Sequence, residues 1–291
     1  MAYTSGAITD PSTFMDVLKT FLVANGWTLL DDVTEASVIT STYSTRTMYY
    51  KSSEDVYIAF QSYTYESTST TMYERVTTIV NAVMQSYESG VTLANQYNSR
   101  YFRFRLHDTR TRYYIIANDR RVIISTDMYG RSTLTYVGYL LPSVSAELLP
   151  KPMFVTGTNT LGLTVTTKTF GSFAINTDSG TSTTLAYAKL SIATTYYASI
   201  TPLQLTPKYM YATERYARTT NDKQMMIPIN VVHNYTDDYG GILGMVEGIY
   251  TAYAWNGVKS FDLYTDSDDV EYLAISGASD INDPILAVKL S

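Results

Sequence analysis

Apolar residues recur at helical spacing near the start of the chain, which predicts an amphipathic α-helix. The positions on this face are Phe14, Leu18, Phe21 and Leu22. Asp10 can cap the helix and Pro11 suits its first position, because both residue types are compatible with an unpaired N-terminal turn. Asn25-Gly26 provides the stop, and we expect Trp27 to fold back onto the helix at the start of a short strand that ends near Leu30.

The pattern then changes to alternation with a period of two residues, which is typical of β-strands. The alternating apolar positions are Val56, Ile58 and Phe60. We predict strands over residues 38–51 and 56–66, and the polar turn at residues 52–55 predicts a hairpin between them.

A second apolar stripe at helical spacing follows at residues 72–87. Its members are Met72, Val76, Ile79, Val80, Val83, Met84 and Tyr87. Thr71 and Glu74 have the spacing of a capping box, and Gly90 suits a helix end. The stripe predicts a second amphipathic helix that lies on this protein's own sheet, and the alternative is a helix that binds a partner.

Residues 101–140 predict a β-meander. Phe102, Phe104 and Leu106 alternate with Arg103 and Arg105. Further strands are predicted at residues 113–117, 122–126 and 134–140, with turn chemistry at residues 118–119 and 129–131.

The remaining chain has two different patterns. Residues 156–206 are rich in Thr, Ser and Gly, which predicts extended strands and long loops. Strand patterns return from Ile227, at residues 229–232, 245–254, 260–264, 271–275 and 285–290. We therefore predict an α+β, mostly β fold, in which antiparallel sheets carry two amphipathic helices. Its expected parts are an α+β part with the meander at 1–155, an extended segment or arm at 156–226, and a C-terminal β part at 227–291 that packs back on the first.

Composition narrows the range of functions. The 291 residues include 28 Tyr but only two Trp, two His and no Cys. The lack of Cys excludes disulfides, thiolate nucleophiles and zinc–thiolate sites. Because the residues of common catalytic sites are scarce and strand-forming residues are abundant, the composition favours a structural or binding protein without a cofactor over an enzyme.

The charge is unevenly distributed along the chain. Residues 100–131 contain eight Arg and three Asp, so this segment carries +5 and the rest of the chain −11 of the net −6. A basic stripe on an acidic body could pack head-to-tail against copies of the same chain, and solvated strand faces are the alternative interpretation. The predicted interface residues are Arg103, Arg105, Arg120, Arg121, Tyr113 and Tyr136. The acidic net charge argues against general nucleic-acid binding.

Few motifs suggest chemistry. His107 and His233 have no Gly-x-Ser-x-Gly nucleophile motif to work with. The acidic run at residues 266–271 departs from the spacing of a calcium-binding EF-hand loop and predicts a solvated β-turn, with a looser calcium site as the alternative. The Gly-rich residues 240–244 lack the Lys and Ser or Thr of a phosphate-binding loop, so we interpret them as a turn or a close chain contact.

Aromatic residues leave one binding function open. Trp27, Trp255 and exposed Tyr could stack on sugars, whereas the alternative is that they fill the core or a protein interface. Residues 1–10 lack the basic start and apolar stretch of a signal peptide, and no apolar run approaches the ~20 residues of a membrane-spanning helix. We therefore expect a protein made in the cytoplasm and not embedded in a membrane.

Some stretches of the sequence resemble a family of virion structural proteins of tailed bacteriophages. One stretch runs through residues 113–124 (YYIIANDRRVII), 136–142 (YVGYLLP) and 150–155 (PKPMFV). Another comprises residues 227–229 (IPI) and 241–250 (GILGMVEGIY), and Asn25-Gly26-Trp27 also fits. The resemblance covers roughly two thirds of the chain, and residues 156–206 depart from it most.

The resemblance implies a non-enzymatic subunit of a phage particle at the neck or collar, the tail or the baseplate. Its partners would be copies of itself and other virion proteins, and its location the virion, assembled in the host cytoplasm. The motifs contain no catalytic residue. Two functions from other classes stay open: a carbohydrate-binding receptor module of a tail fibre or spike, and a glycan-degrading enzyme with two facing carboxylates. A capsid decoration protein is a further alternative.

Overall fold

The protein is a layered β structure with one α-helix in the part of the chain that is described. The computed structural model describes residues 1–8, 11–36, 44–66, 75–97, 100–107, 111–128, 131–142, 153–157, 186–189, 197–199, 201–202, 226–233, 241–252, 261–276 and 285–290. The elements of the N-terminal half are β1 (Ala2–Ile8), α1 (Pro11–Ala24), β2 (Thr28–Ala36), β3 (Ser44–Lys51), β4 (Tyr57–Glu66), β5 (Arg75–Met84), a 3₁₀ turn (Leu93–Asn95), β6 (Arg100–His107), β7 (Thr111–Ala117), β8 (Arg121–Met128), β9 (Arg131–Tyr139) and β10 (Leu141–Pro142). They are followed by β11 (Met153–Gly157), β12 (Ala186–Lys189), β13 (Tyr197–Ser199), β14 (Thr201–Pro202), β15 (Ile227–His233), β16 (Gly241–Ala252), β17 (Leu263–Thr265), β18 (Glu271–Ser276) and β19 (Ile285–Lys289).

These strands form three antiparallel sheets. The helix-side sheet has the order β2-β3-β4-β5-β6, so every strand pairs with its neighbour in sequence. The central sheet has the order β1-β7-β8-β9-β11-β12-β13. The C-terminal sheet has the order β14-β15-β16-β19-β18-β17, and β10 also pairs with β16.

The strands β7, β8 and β9 of the central sheet are buried on both faces. Alternate residues of its strands, such as Ile115 and Ile124, belong to a core shared with α1 and the helix-side sheet. The intervening residues, such as Ile116 and Ile123, belong to a second core shared with the C-terminal sheet. Because both faces are apolar, β7 and β8 have continuous apolar runs in the sequence.

The first helix confirms the prediction from the sequence. The backbone N–H of Trp27 donates to Leu22 O at 3.0 Å, and that of Gly26 donates to Val23 O at 3.4 Å, which is the Schellman arrangement at a helix C-terminus. Gly26 has a φ of 88°, as this arrangement requires. Trp27 is 2% exposed and packs in the same core as α1, as predicted.

The predicted second helix is wrong, because Arg75–Met84 forms strand β5. Ile79 and Val83 face the core shared with α1, whereas Val80, Ala82 and Met84 face the opposite side of the helix-side sheet. A strand buried on both faces has apolar residues at consecutive positions. Such a run also contains apolar residues at the spacing of one helix face, so the two patterns look alike in the sequence. The β-branched residues in this run favour the strand. The predicted capping residues Thr71 and Glu74 lie outside the described residues.

The predicted meander is divided between two sheets. The strands β7, β8 and β9 form a meander in the central sheet. In contrast, β6 pairs with β5 in the helix-side sheet. The chain therefore passes from one layer to another between His107 and Thr111. The hairpin of β3 and β4 is confirmed, and all five strand regions predicted after Ile227 contain a strand.

Within the described residues, no helix is long and apolar enough to cross a membrane. The mostly β, antiparallel character of the fold agrees with the prediction. Most of the predicted arm at residues 156–206 lies outside the described residues.

Candidate interaction surface

The six residues predicted as an interface lie in three different places. Arg103 and Arg105 are in β6, which is an edge strand of the helix-side sheet among the described residues. Arg120 and Arg121 meet at the start of β8, close to Tyr136. Tyr113 is in the core beneath α1. Only Arg120, with 36% of its side chain exposed, has substantial described surface.

Arg121 is completely buried, and two glycines leave the space for it. A Cβ at Gly138 would lie 2.6 Å from the Arg121 Cα, and a Cβ at Gly248 would lie 2.4 Å from the Arg121 Nη2. Both glycines have a positive φ, of 142° and 78°, and residues that carry a Cβ rarely adopt such values. Gly248 lies in β16, so Arg121 joins the central sheet to the C-terminal sheet.

Glu247 supplies the negative charge beside this arginine. Its Oε2 lies 3.3 Å from Arg120 Nε and 3.7 Å from Arg121 Nε. Its Oε1 accepts a hydrogen bond from Asn118 Nδ2 at 3.0 Å. Because the two guanidinium groups share one carboxylate, the cluster has an excess positive charge.

The Arg121 side chain is poorly hydrogen-bonded for a buried charge. Its Nη2 donates to Met1 Sδ at 3.4 Å, whereas its Nε and Nη1 have no hydrogen-bond partner among the described residues. Desolvation lowers the pKa of the Arg121 guanidinium, and the charge of the nearby Glu247 carboxylate opposes this shift. The cluster therefore depends on the Glu247 carboxylate.

Asn118 fixes the turn that presents the two arginines. Its Oδ1 accepts the backbone N–H groups of Arg120 at 2.9 Å and Arg121 at 3.0 Å. Its backbone oxygen accepts the indole N–H of Trp27 at 3.0 Å. We call this group the Arg121 junction: Trp27, Asn118, Arg120, Arg121, Gly138, Glu247 and Gly248. All seven residues belong to the stretches that carry the phage-family resemblance, so those motifs build the contact between layers.

Tyr113 and Tyr136 contribute to the cores of this chain. The Tyr113 ring packs on Phe14, with ring centroids 5.7 Å apart. Tyr136 is fully buried beside Phe154, and its hydroxyl donates to Tyr139 O. Burial raises the pKa of Tyr136 above its usual range. The predicted interface therefore depends on Arg120 and on the β6 edge with Arg103 and Arg105, and it stays a prediction.

The opposite edge of the helix-side sheet is acidic, a feature that the sequence reasoning did not single out. Strand β2 contains Asp31, Asp32 and Glu35 and no Lys or Arg. Asp32 accepts hydrogen bonds from Arg46 Nε at 2.8 Å and from Lys19 Nζ at 2.8 Å. Asp31 accepts the Tyr87 hydroxyl at 2.7 Å, and Glu35 is exposed. The signal was present as three carboxylates within five residues.

The two edges are connected by cross-strand rows on one face of the sheet. One row runs Glu35, Thr45, Tyr63, Thr78, Arg105. The neighbouring row runs Val33, Thr47, Gln61, Val80, Arg103, and the next begins at Asp31 and ends at Tyr101. Because residues in one row share a face, Arg103 and Arg105 lie on the same face as Asp31 and Glu35, at the opposite edge of the sheet.

The other predicted sites are structural where they are described. Asp266 Oδ1 accepts the backbone N–H groups of Asp268 at 2.9 Å and Val270 at 3.0 Å, which confirms a β-turn between β17 and β18. A Cβ at Gly244 would lie 2.6 Å from Leu141 O, which confirms the predicted close chain contact. His107 ends β6 and His233 ends β15, in different sheets. The described residues include no group of three His, Asp or Glu that could hold a metal ion.

No protein-family model matches the chain, and no curated protein matches it.

Proposed function

We propose that this protein is a non-enzymatic structural subunit of a tailed-phage virion, located at the neck or collar, the tail or the baseplate, and assembled through contacts between copies. The observation that carries the proposal is the opposite charge of the two edge strands of the helix-side sheet. Strand β6 contains Arg100, Arg103 and Arg105 and no acidic residue, whereas β2 contains three carboxylates and no basic residue.

The Arg121 junction supports the proposal in a second way. Four of the segments that resemble the virion family, at residues 25–27, 113–124, 136–142 and 241–250, meet at one contact between two layers. Residues that hold two sheets together fit a protein whose function needs a rigid shape. The junction also offers no nucleophile, since its charged groups are guanidiniums and one carboxylate held between them.

The aromatic residues on the C-terminal sheet favour packing over sugar binding. Tyr264 and Tyr272 stack with ring centroids 5.5 Å apart, and Tyr250 meets Tyr272 edge-on at 6.0 Å. Tyr272 is 7% exposed, and Trp27 is buried in the core beneath α1. A sugar platform needs open ring faces, so this tyrosine cluster supports a structural role more than a receptor-binding one.

The test is to complement a phage that lacks this gene with the variant Arg103→Glu/Arg105→Glu. We expect the yield of complete particles to fall at least about tenfold, because each reversed contact that loses about 1.4 kcal/mol weakens association by that factor. Lys51→Glu is the control, since Lys51 is a partly exposed cation that pairs with Asp55 away from the β6 edge.

The readouts separate the rival functions. Normal particle yield with impaired adsorption to host cells would favour the receptor module. Normal yield and normal adsorption of the reversed variant would contradict the proposed function.

A further inference from the structure

We propose that the β6 edge of one copy pairs with the β2 edge of the next, so that the helix-side sheet continues from copy to copy. This inference names the partner of the proposed assembly surface and rests on the proposed function only in that copies of the chain assemble. Among the described residues, β2 and β6 are the two edges of this sheet and neither has a second neighbour. An open edge presents unpaired N–H and C=O groups that another strand can satisfy.

The strand directions determine the geometry of this pairing. Each pair in the sheet is antiparallel, from β2 with β3 to β5 with β6, so β2 and β6 run in the same direction. A rotation axis roughly parallel to the strands would therefore bring β6 of one copy beside β2 of the next in parallel. Such a head-to-tail contact uses two different surfaces, and it generates a ring if the rotation closes.

The charges of the two edges favour this head-to-tail contact over a contact between two identical edges. Pairing β6 with β6 would place arginines beside arginines, and pairing β2 with β2 would place carboxylates beside carboxylates. Like charges opposite each other on neighbouring strands destabilise a sheet, and opposite charges stabilise it. Only the head-to-tail pairing brings the Arg103 and Arg105 positions beside those of Asp31 and Glu35.

The rows across the sheet specify which residues would meet. The row that ends at Arg105 on β6 begins at Glu35 on β2, on the same face. When the sheet continues without a shift of register, Arg105 of one copy therefore lies beside Glu35 of the next. Arg103 then lies diagonally between Asp31 and Glu35. Among the described residues, neither Asp31 nor Glu35 forms an ion pair that would compete.

A bulge limits the length of the proposed contact. The pairing of β2 with β3 shifts between Leu29 and Asp31, so the regular edge of β2 extends from Asp31 to Ala36. Bulges at sheet edges restrict pairing with other chains. The acidic residues lie within the regular part, where a neighbouring strand can bind.

Cysteine cross-linking of the purified full-length protein tests the pairing, because the natural chain contains no cysteine. Glu35 and Arg105 of one chain are four strand spacings apart, about 19 Å, which excludes a disulfide within the chain. Adjacent strands are about 4.8 Å apart, within the range for a disulfide between chains. We therefore expect Glu35→Cys/Arg105→Cys to form a ladder of covalent oligomers under mild oxidation.

Matched variants identify the contact. Thr34→Cys/Arg105→Cys should give no ladder, because residue 34 lies on the opposite face of the strand. Either single variant alone should form no covalent oligomer. Glu35→Cys/Arg103→Cys would detect a register shifted by two residues. A ladder from neither double variant, or a dimer from Arg105→Cys alone, would overturn the proposal.

Charge exchange gives a second, non-covalent test. Arg105→Glu and Glu35→Arg should each weaken oligomer formation at least about tenfold when studied separately. An equimolar mixture should regain assembly, since alternating copies restore one natural and one exchanged contact. Failure of the mixture to assemble would contradict head-to-tail pairing.

The cross-linking result is independent of where the protein functions. A ladder from a protein that is missing from virions would support the edge pairing and contradict the proposed function. A protein present in virions without a ladder would contradict the pairing alone.

Discussion

Substitutions at the Arg121 junction change stability through the space available for a side chain as well as through the backbone conformation. Gly248 and Gly90 have the same φ of 78°, but a Cβ at Gly90 would meet nothing within 4 Å. At Gly248 it would meet the Arg121 guanidinium at 2.4 Å. A comparison of substitutions at Gly90 and Gly248 therefore separates the free-energy cost of the backbone conformation from the cost of displacing a buried arginine.

We predict that Gly90→Ala lowers the free energy of unfolding by about 1 kcal/mol, the usual cost of a left-handed conformation for an L-residue. Gly248→Ala should cost at least about 2 kcal/mol more, because Arg121 must move within a packed core. Urea denaturation of both variants measures the difference. Equal losses would show that Gly248 does not make room for Arg121.

Asp32 makes stability depend on pH. Its hydrogen bonds from Arg46 lower its pKa to about 2, with Lys19 contributing and burial opposing the shift. The pKa of Asp32 in the folded protein is below the usual 3.8. The ionised carboxylate therefore stabilises the fold above about pH 4, and this stabilisation is lost as the pH falls towards 2. At neutral pH it amounts to about 2 kcal/mol.

We predict that Asp32→Asn destabilises the protein by about 2 kcal/mol at pH 7 and by much less near pH 2. Asp16→Asn is the control, since Asp16 is 67% exposed in its ion pair with Arg46 and should contribute less than about 1 kcal/mol. Denaturation curves between pH 2 and 7 provide the measurement. An unchanged pH dependence in Asp32→Asn would contradict the assignment.

At the scale of elements, Glu247 on β16 holds the start of β8 against the C-terminal sheet. We predict that Glu247→Gln lowers the free energy of unfolding by about 3–5 kcal/mol, because it leaves buried Arg121 without a counter-charge. Arg121→Met/Glu247→Gln should be more stable than Glu247→Gln alone, since it removes the uncompensated charge. A double-mutant cycle by urea denaturation at pH 7 tests this. A loss below about 1 kcal/mol for Glu247→Gln would show that the ion pairs are unimportant.

Elements that depend on local signals were predictable from the sequence. Pro11 and Asn25-Gly26 marked both ends of α1, and the turn residues separated β7, β8 and β9. Strand β5 was not predictable from periodicity, because Ile79 and Val80 are buried on opposite faces and simulate a helical stripe. Burial on both faces is a property of the assembled layers and not of the segment.

The candidate surface was predictable only in part. The basic charge of residues 100–131 was visible, but its division between an edge strand and a buried junction was not. Asn118, Gly138 and Glu247 are far apart in sequence, and nothing local indicates that they surround Arg121. The carboxylates Asp31, Asp32 and Glu35 are visible in the sequence. Their role as one side of a contact follows only from the structure, which places β2 and β6 at opposite edges of one sheet.

At the scale of the whole molecule, three sheets around two cores form a body whose helix-side sheet ends in opposite charges. Such a body suits repeated contacts between identical copies, and the central sheet gives it stiffness because it is packed on both faces. The resemblance to virion proteins and the charge pattern are independent reasons for the same proposal. One concerns residues that build the fold, and the other concerns residues at its edges.

The proposed function is tested most directly by purifying phage particles from the source of this gene and imaging them by cryo-EM. We predict density for several symmetry-related copies of this chain at the neck, tail or baseplate, in contact with one another. Absence of the chain from the particle would contradict the proposed function. Its presence only at the tip of a fibre would favour receptor recognition instead.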